Sequence, residues 1–264
     1  HLRDERLARE RRRMRVSIIT AVLNGAEVIG RTLESVAEQD YPTIEHIVID
    51  GASRDGTLEV VRRHGRRVAV VQSGRDRGVY EAFNKGLRAA SGDVVAFLNA
   101  GDTYAQSRAV SQLMRAFESP EVGAAFADLE ITDPEHPTRV LRRYRSARFR
   151  PERLAAGFMP AHPTLFLRRS VYERVGPYDP SYRIAGDYEL CLRVFSRAAT
   201  PFRYVPEVLV QMPSGGMSNQ GLHSAWVITR EMKRACDQQG IATGWFKLLW
   251  RLPAKSFETV WHGG

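Results

Sequence analysis

No stretch of this chain approaches the ~18 apolar residues of a membrane-spanning helix, which excludes a helix-spanning reading of these residues. Cysteine is scarce. Cys191 and Cys236 stand alone, without a CxxC pair, so neither a disulfide framework nor a cysteine zinc site is expected. A reducing cytoplasm is the expected compartment. The Arg-rich start lacks an apolar segment and a small-residue cleavage site, so it does not read as a secretory signal. No G-x-x-x-x-G-K-[ST] loop is present and no G-x-G-x-x-G follows the first strand, which argues against NTPases, kinases and Rossmann dehydrogenases. G-x-S-x-G and H-E-x-x-H are missing too, removing the common serine-hydrolase and zinc-protease signatures. There are no internal repeats and no low-complexity tract.

What is present is ordinary in amount and uneven in place. The 264 residues, 43% apolar and 26% charged, suit a soluble globular protein able to bury one large core. The net charge of +9 suggests a polyanion partner until it is mapped. Residues 1–15 carry seven Arg against three acids, and residues 139–153 carry seven Arg against Glu152. The rest is close to neutral, so no nucleic-acid-binding face is expected. The second cluster, interleaved with Tyr144 and Phe149, suits a solvated strand, an anionic head group or diphosphate, or RNA. Residues 1–13 are too charged to join a core, and Met14 is a candidate natural start.

Strand-like and helix-like segments alternate through the first half. Val16-Ser17-Ile18-Ile19-Thr20-Ala21-Val22-Leu23 is β-branched and apolar, and Ile29, Leu33 and Val36 follow at helical spacing. Residues 44–50 and 68–71 repeat the strand pattern, while Tyr80, Phe83, Leu87 and Ala90 mark another helix face. This alternation predicts βαβ units and a mainly parallel sheet. Right-handed crossovers then gather the strand C-termini, residues 23–25, 50–55, 73–77 and 99–102, around one crevice. From about Asp128 the alternation fails. A helix is expected over 170–175, another over 187–197, and helix throughout from Gln220, after the flexible Gly215-Gly216-Met217-Ser218-Asn219.

Two carboxylates carry the chemistry. Asp102 ends the stretch Val94-Val95-Ala96-Phe97-Leu98-Asn99-Ala100-Gly101-Asp102, at a strand end where open α/β sheets bind ligands. It is placed to hold a divalent metal on a diphosphate, since Mg²⁺ and Mn²⁺ share one or two carboxylates with substrate phosphates. Asp187, in Ala185-Gly186-Asp187-Tyr188-Glu189-Leu190, is placed to take a proton from an attacking hydroxyl. A turn or N-cap role is the plainer reading of either residue taken alone.

Five motifs, in order, resemble those of the family 2 (GT-A fold) glycosyltransferases. They are residues 17–24, Val48-Ile49-Asp50-Gly51-Ala52-Ser53-Arg54-Asp55-Gly56-Thr57, Arg75-Asp76-Arg77-Gly78-Val79-Tyr80-Glu81-Ala82-Phe83-Asn84-Lys85-Gly86, Asn99-Ala100-Gly101-Asp102 at the DxD position, and the Asp187 segment at the catalytic-base position. The resemblance spans about Val16 to Asn219. It implies a GT-A-type, Rossmann-like α/β fold with a helical C-terminal extension. The expected parts are a charged segment 1–13 outside the core, a nucleotide-sugar-binding half 14–128, an acceptor and catalytic-base half 129–219, and the extension 220–264.

The implied activity is metal-dependent, inverting transfer of one sugar, of the hexosyltransferase type, from a UDP-, GDP- or dTDP-sugar to a hydroxyl acceptor. A glycan or lipid-linked acceptor in cell-surface polysaccharide or glycolipid assembly is expected. Asp187 would be the general base, and Asp102 would hold Mn²⁺ or Mg²⁺. Thr20, Asn24, Asp50, Asp55, Asp76, Lys85 and Asn99 would line the donor site, with Asp50 at the base, Asp55 at the turn or ribose, Asp76 near base or ribose and Lys85 facing the diphosphate. Asp55 equally suits a helix cap, and Lys85 a solvated helix position. His223 is similar to a histidine that some relatives use near the metal; an exposed or capping histidine is the alternative. His162 suits either acceptor binding or a hydrogen-bonded core position.

Two departures stand out. Asn99 replaces the family's first DxD aspartate, and Gly101 is inserted before Asp102, which leaves one certain carboxylate. The Gln-x-x-Arg-Trp motif of processive synthases is absent, which favours single-sugar transfer. Two other readings compete. A nucleotidyltransferase of related fold would need a basic Gly-rich signature that Leu23-Asn24-Gly25-Ala26 lacks, and a silent scaffold is motivated by the altered DxD. Last, Trp245, Phe246, Leu248, Leu249, Trp250 and Leu252 crowd the C-terminus with Lys247, Arg251 and Lys255. That mixture suits either docking of a final helix or a peripheral seat on an anionic membrane surface at the cytoplasmic face.

Overall fold

The structure is a computed structural model that describes residues 14–215 and 222–249, with side chains omitted at 222 and 223. Period-2 alternation builds its centre. In β1 (Val16–Val22), Ile19 and Ala21 face one helical layer while Val16 and Ile18 face the other, and all seven residues are buried. A strand buried on both faces must lie between neighbours. β1 pairs in parallel with β2 (Ile44–Asp50) on one side and β4 (Val94–Phe97) on the other. β3 (Val68–Ser73) adds in parallel outside β2 as the half-exposed edge. The joining helices are α1 (Ala26–Ala37), α2 (Thr57–His64) and α3 (Val79–Ala89).

Beyond β4 the sheet continues through β8 (Phe166–Arg168), β6 (Ala124–Thr132), β9 (Phe202–Pro213) and β5 (Thr103–Tyr104), with β7 (Val140–Tyr144) beside β6. β8, β7 and β5 run antiparallel to their neighbours, whereas β6 and β9 are parallel to each other. Six of the nine strands therefore share one direction among the described residues, and the sheet is mixed but mainly parallel. Short α4 (Ala109–Arg115), α5 (Arg169–Val175) and α6 (Gly186–Cys191) cover it, and α7 (Leu222–Gln238) and α8 (Trp245–Leu249) close the described chain. Met232, Ala235, Cys236 and Leu248 join the core formed by Phe83, Phe126, Tyr178 and Tyr188.

Three expectations are corrected. The helix expected over 187–197 changes winding after Cys191 to a π-type turn, Leu192–Arg197, which lets Leu192, Val194 and Phe195 all reach the core. The helix expected to run on from Gln220 is broken between α7 and α8, where Gly240 adopts a positive φ of 67°. In the basic segment, Phe149 does not alternate with arginines at the surface. It is buried against Phe126, Phe195 and Phe202, while Arg143 pairs with Glu130 at 2.6 Å.

Candidate active site

Parallel registry brings the strand ends level, with Val22 beside Asp50 and Asp50 beside Ser73. After β4 the chain keeps bonding to β1: the Leu98 amide donates to the Ile19 carbonyl and the Ala100 amide to the Ala21 carbonyl. Asn99–Asp102 therefore lies at the same edge. Gly25 touches this turn, since a Cβ there would sit 3.7 Å from Ala100 Cβ and collide with Val22 at 2.6 Å. The crevice expected at the strand ends is thus assembled from all four connections.

Its side chains divide into those that are occupied and those left open. Asp50 is fully buried and accepts bonds from the Ser73 hydroxyl at 2.6 Å and the Ser53 amide at 3.2 Å. Asn24, at φ 50°, receives the Arg54 amide and donates its own to Ser53 Oγ. Asp55 accepts from the Thr57 hydroxyl, the Thr57 amide and the Ala26 amide, which tie α1 to α2 and hold its carboxyl below the usual range. Asp55 is thus a brace between two helix starts, and Gly56 takes the N-cap position. Thr20 is turned away from the crevice. It is 0% exposed, and its hydroxyl donates to the Leu98 carbonyl and bonds His46 Nε2. Burial holds His46 neutral, with its pKa down to about 3.

Asp76 and Asp102 are the open acids. Asp76 forms an ion pair with Lys85 at 2.5 Å, and among the described residues no hydrogen bond of good geometry reaches its buried oxygens. Its carboxylate lies against Gly51, where a Cβ would stand 3.6 Å from Asp76 Oδ2, so the second and third motifs meet here. Lys85 also donates to the Arg75 carbonyl, so it is neither a freely solvated helix residue nor directed away from the acid. Asp102 is 6% exposed and sits in a turn set by Gly101, at φ 102°, whose amide donates to Thr32 Oγ1. Desolvation lifts the Asp102 carboxyl to about 7. Asn99 Oδ1, in the same turn, is buried without a hydrogen-bond partner among the described residues. A half-satisfied carboxyl and an orphaned amide oxygen form a hard-donor pair that fits Mg²⁺ or Mn²⁺. His223 enters α7, but its side chain lies outside the described residues. Among the described residues no cluster of three or more His, Cys, Asp or Glu forms a complete metal cage.

Asp187 reaches this region through α3. The Tyr80 hydroxyl donates to the Ile184 carbonyl and lies 3.5 Å from Asp187 Oδ1. Gly186 makes that approach feasible, because a Cβ there would stand 2.7–2.9 Å from the Tyr80 ring. Asn84 bonds both the amide and the carbonyl of Tyr178, fixing the loop ahead of Asp187. Asp187 is not the N-cap of α6; Ala185 takes that position, without a side-chain bond. The Tyr188 amide donates to Asp187 Oδ1 at 2.8 Å, and among the described residues no bond engages Oδ2. His162 is half-buried and hydrogen-bonded: Nε2 bonds the Tyr178 hydroxyl, and its ring packs on Phe83 and Phe97. Burial lowers its pKa, with the Asp187 charge opposing. No sequence signal marks Tyr80 and Glu231 as holding the loop before Asp187. Tyr80 reads as a core aromatic of α3, and Glu231 lies outside every motif.

The family model for Glycosyl transferase family 2 matches residues 17–176, more than half of the chain. A PGL/p-HBAD biosynthesis glycosyltransferase of Mycobacterium bovis (strain BCG / Pasteur 1173P2) is 31% identical over 212 residues, covering 77% of this chain and 78% of the relative. The chain belongs to glycosyl transferase family 2 and is a glycosyltransferase. Solved structures agree on the fold. The mannosyltransferase PcManGT from Pyrobaculum calidifontis, in complex with GDP-Man and Mn2+, superposes with a TM-score of 0.65 at 21% identity, covering 97% of this chain and 80% of that one. S. aureus TarS 1-349 in complex with UDP-GlcNAc gives 0.61 at 14% identity, covering 85% and 73%.

Proposed function

We propose that this glycosyltransferase moves one sugar from a UDP-, GDP- or dTDP-sugar to a hydroxyl of a glycan or lipid-linked acceptor, with inversion, in surface polysaccharide or glycolipid assembly. One observation carries the reading: Asp76 of the strand-end crevice and the Asp187 loop are bound to the same helix, α3, through Lys85 and Tyr80. Donor and base are thereby held in one frame.

Asp50, Asn24 and Asp76 would receive the nucleoside at the ends of β1, β2 and β3. Asp102, assisted by Asn99 Oδ1 and the donor diphosphate, would hold Mn²⁺ or Mg²⁺; when bound, the cation would neutralise charge on the departing diphosphate. The acceptor hydroxyl approaches Asp187 Oδ2 and surrenders its proton there. Its oxygen bonds the anomeric carbon from the face opposite the diphosphate. The bond to the diphosphate oxygen breaks, and the nucleoside diphosphate leaves with that electron pair. Release of nucleoside diphosphate from a panel of UDP-, GDP- and dTDP-sugars with Mn²⁺ tests the reading. Slow hydrolysis of one donor without acceptor is expected; no donor binding by thermal shift, with or without metal, would overturn it.

The C-terminal surface supports a peripheral seat on an anionic membrane. Trp226, Trp245 and Phe246 are 54%, 43% and 77% exposed, and the two tryptophans stack at 5.4 Å. The two tryptophans line a cavity of ≈ 360 Å³ on α7 and α8, apart from the strand-end crevice, with Arg230, Lys233, Arg234 and Asp237 beside them. Leu248 instead docks α8 into the core. No helix among the described residues is long and apolar enough to cross a membrane.

A further inference from the structure

The segment just before Asp187 has an unusual anchor. Three consecutive backbone amides, those of Arg183, Ile184 and Ala185, donate to one carboxylate, Glu231 of α7, at 2.7, 2.9 and 2.8 Å. Such charge-assisted bonds are stronger than neutral ones. The carbonyl of the middle residue, Ile184, is held from the opposite side by Tyr80 of α3. Further along α7, Arg234 packs over the Tyr182 ring at 4.1 Å and lies 3.6 Å from Asp179, while Gln238 accepts the Tyr182 hydroxyl at 2.6 Å. The loop carrying the base is therefore gripped at its amides by α7 and at a carbonyl by α3.

We infer that Glu231 is a positioning residue for the transfer step, fixing the backbone of 183–185 so that Asp187 meets the acceptor hydroxyl. The inference rests on the assignment of Asp187 as base. An error of about 1 Å in the placement of a catalytic group costs on the order of 100-fold in rate. Among the described residues the hydrogen bonds of Glu231 go to the amides of 183–185 and none to the donor crevice, so its loss should reach turnover and spare donor binding. The carboxylate is needed for its two acceptor oxygens. An amide at this position keeps one acceptor and turns an N–H toward a backbone N–H.

Amide hydrogen exchange tests the grip without any ligand. In Glu231→Gln, exchange at 183–185 should quicken at least tenfold while α3 and the β1–β4 strands keep wild-type protection. Kinetics then use whichever sugar of the UDP-, GDP- and dTDP- panel the wild type turns over with Mn²⁺. Glu231→Gln and Glu231→Ala should lower kcat about 10- to 100-fold with donor KM within twofold, and Glu231→Asp should recover part of the loss. Combined with Asp187→Asn, either variant should add little to the single Asp187→Asn defect, since a positioning residue acts only through the group it places. Unchanged exchange at 183–185, wild-type kcat in Glu231→Gln, or fully multiplicative losses in the double variant would overturn the inference. If Asp187→Asn alone keeps wild-type activity, the base assignment fails first and is recognised as the separate failure. If Glu231→Ala does not fold, the Gln variant decides.

Discussion

Asp102 is the residue whose environment and chemistry pull hardest against each other. Burial raises its pKa to about 7, whereas the unfolded chain ionises it near 4. A carboxyl with a raised folded pKa contributes stability that is whole below the unfolded value and lost as pH climbs through the folded one. Asp102→Asn removes the titration. In metal-free protein its melting temperature should gain on wild type between pH 4 and pH 7 and keep a constant lead above that, with an upper bound of about 4 kcal/mol. Thermal melts across that range check this, and a lead independent of pH would mean that Asp102 titrates normally. The same variant should weaken Mn²⁺-dependent binding of the nucleoside diphosphate by calorimetry. Asp187 should behave differently, because the base role proposed for it belongs to the chemical step alone. Asp187→Asn should lower turnover roughly 100-fold or more, with donor affinity nearly intact. Activity within a few-fold of wild type would remove the base role.

At the scale of elements, α3 is the hinge of the design. One turn of it carries Tyr80 to the loop before Asp187, and the next carries Asn84 to the Tyr178 backbone and Lys85 to Asp76. The closest of these contacts depends on a missing Cβ at Gly186. Gly186→Ala forces the buried Tyr80 ring or the loop to move, and overpacking of this kind typically costs 1–3 kcal/mol. Chemical denaturation should show that loss together with a lower kcat. Wild-type stability and rate would mean that the ring yields freely. The sequence showed α3 as an amphipathic helix through Tyr80, Phe83 and Leu87, but periodicity reports only which face is inward. It could not show that the inward tyrosine hydroxyl reaches a loop 104 residues away. The reading of 187–197 as one regular helix failed for a related reason, since apolar spacing does not distinguish α from π winding over a single turn.

For the whole molecule, charge and aromatic exposure make the α7–α8 corner the surface to test. Trp226, Trp245 and Phe246 stand out beside the exposed Arg230 and Lys247. Rings at head-group depth and cations against anionic lipid would hold the enzyme peripherally, each cation contributing about 1 kcal/mol. Co-sedimentation should show binding to anionic vesicles well above neutral ones, reduced by removing residues 244–264. Equal partitioning, unchanged by the truncation, would falsify the membrane-surface reading. The Arg-rich segment 1–13 lies outside the described residues.

By itself the sequence determined the α/β alternation, the order of the strands feeding one crevice, the five motifs of the family and the position of Asp102 at a strand end. These are local properties: side-chain period, turn residues and the rule that parallel strands present their C-termini together. Only the tertiary structure decided what each polar group does there. It turned Thr20 inward to His46, consumed Asp55 in bracing two helices, paired Lys85 with Asp76, buried Asp102, and left Asn99 Oδ1 without a hydrogen-bond partner among the described residues. It also brought Glu231 onto amides 46–48 residues away. A hydrogen bond needs its partner within about 3 Å, and which distant residue arrives there is settled by how helices pack on the sheet. No spacing along the chain encodes that distance.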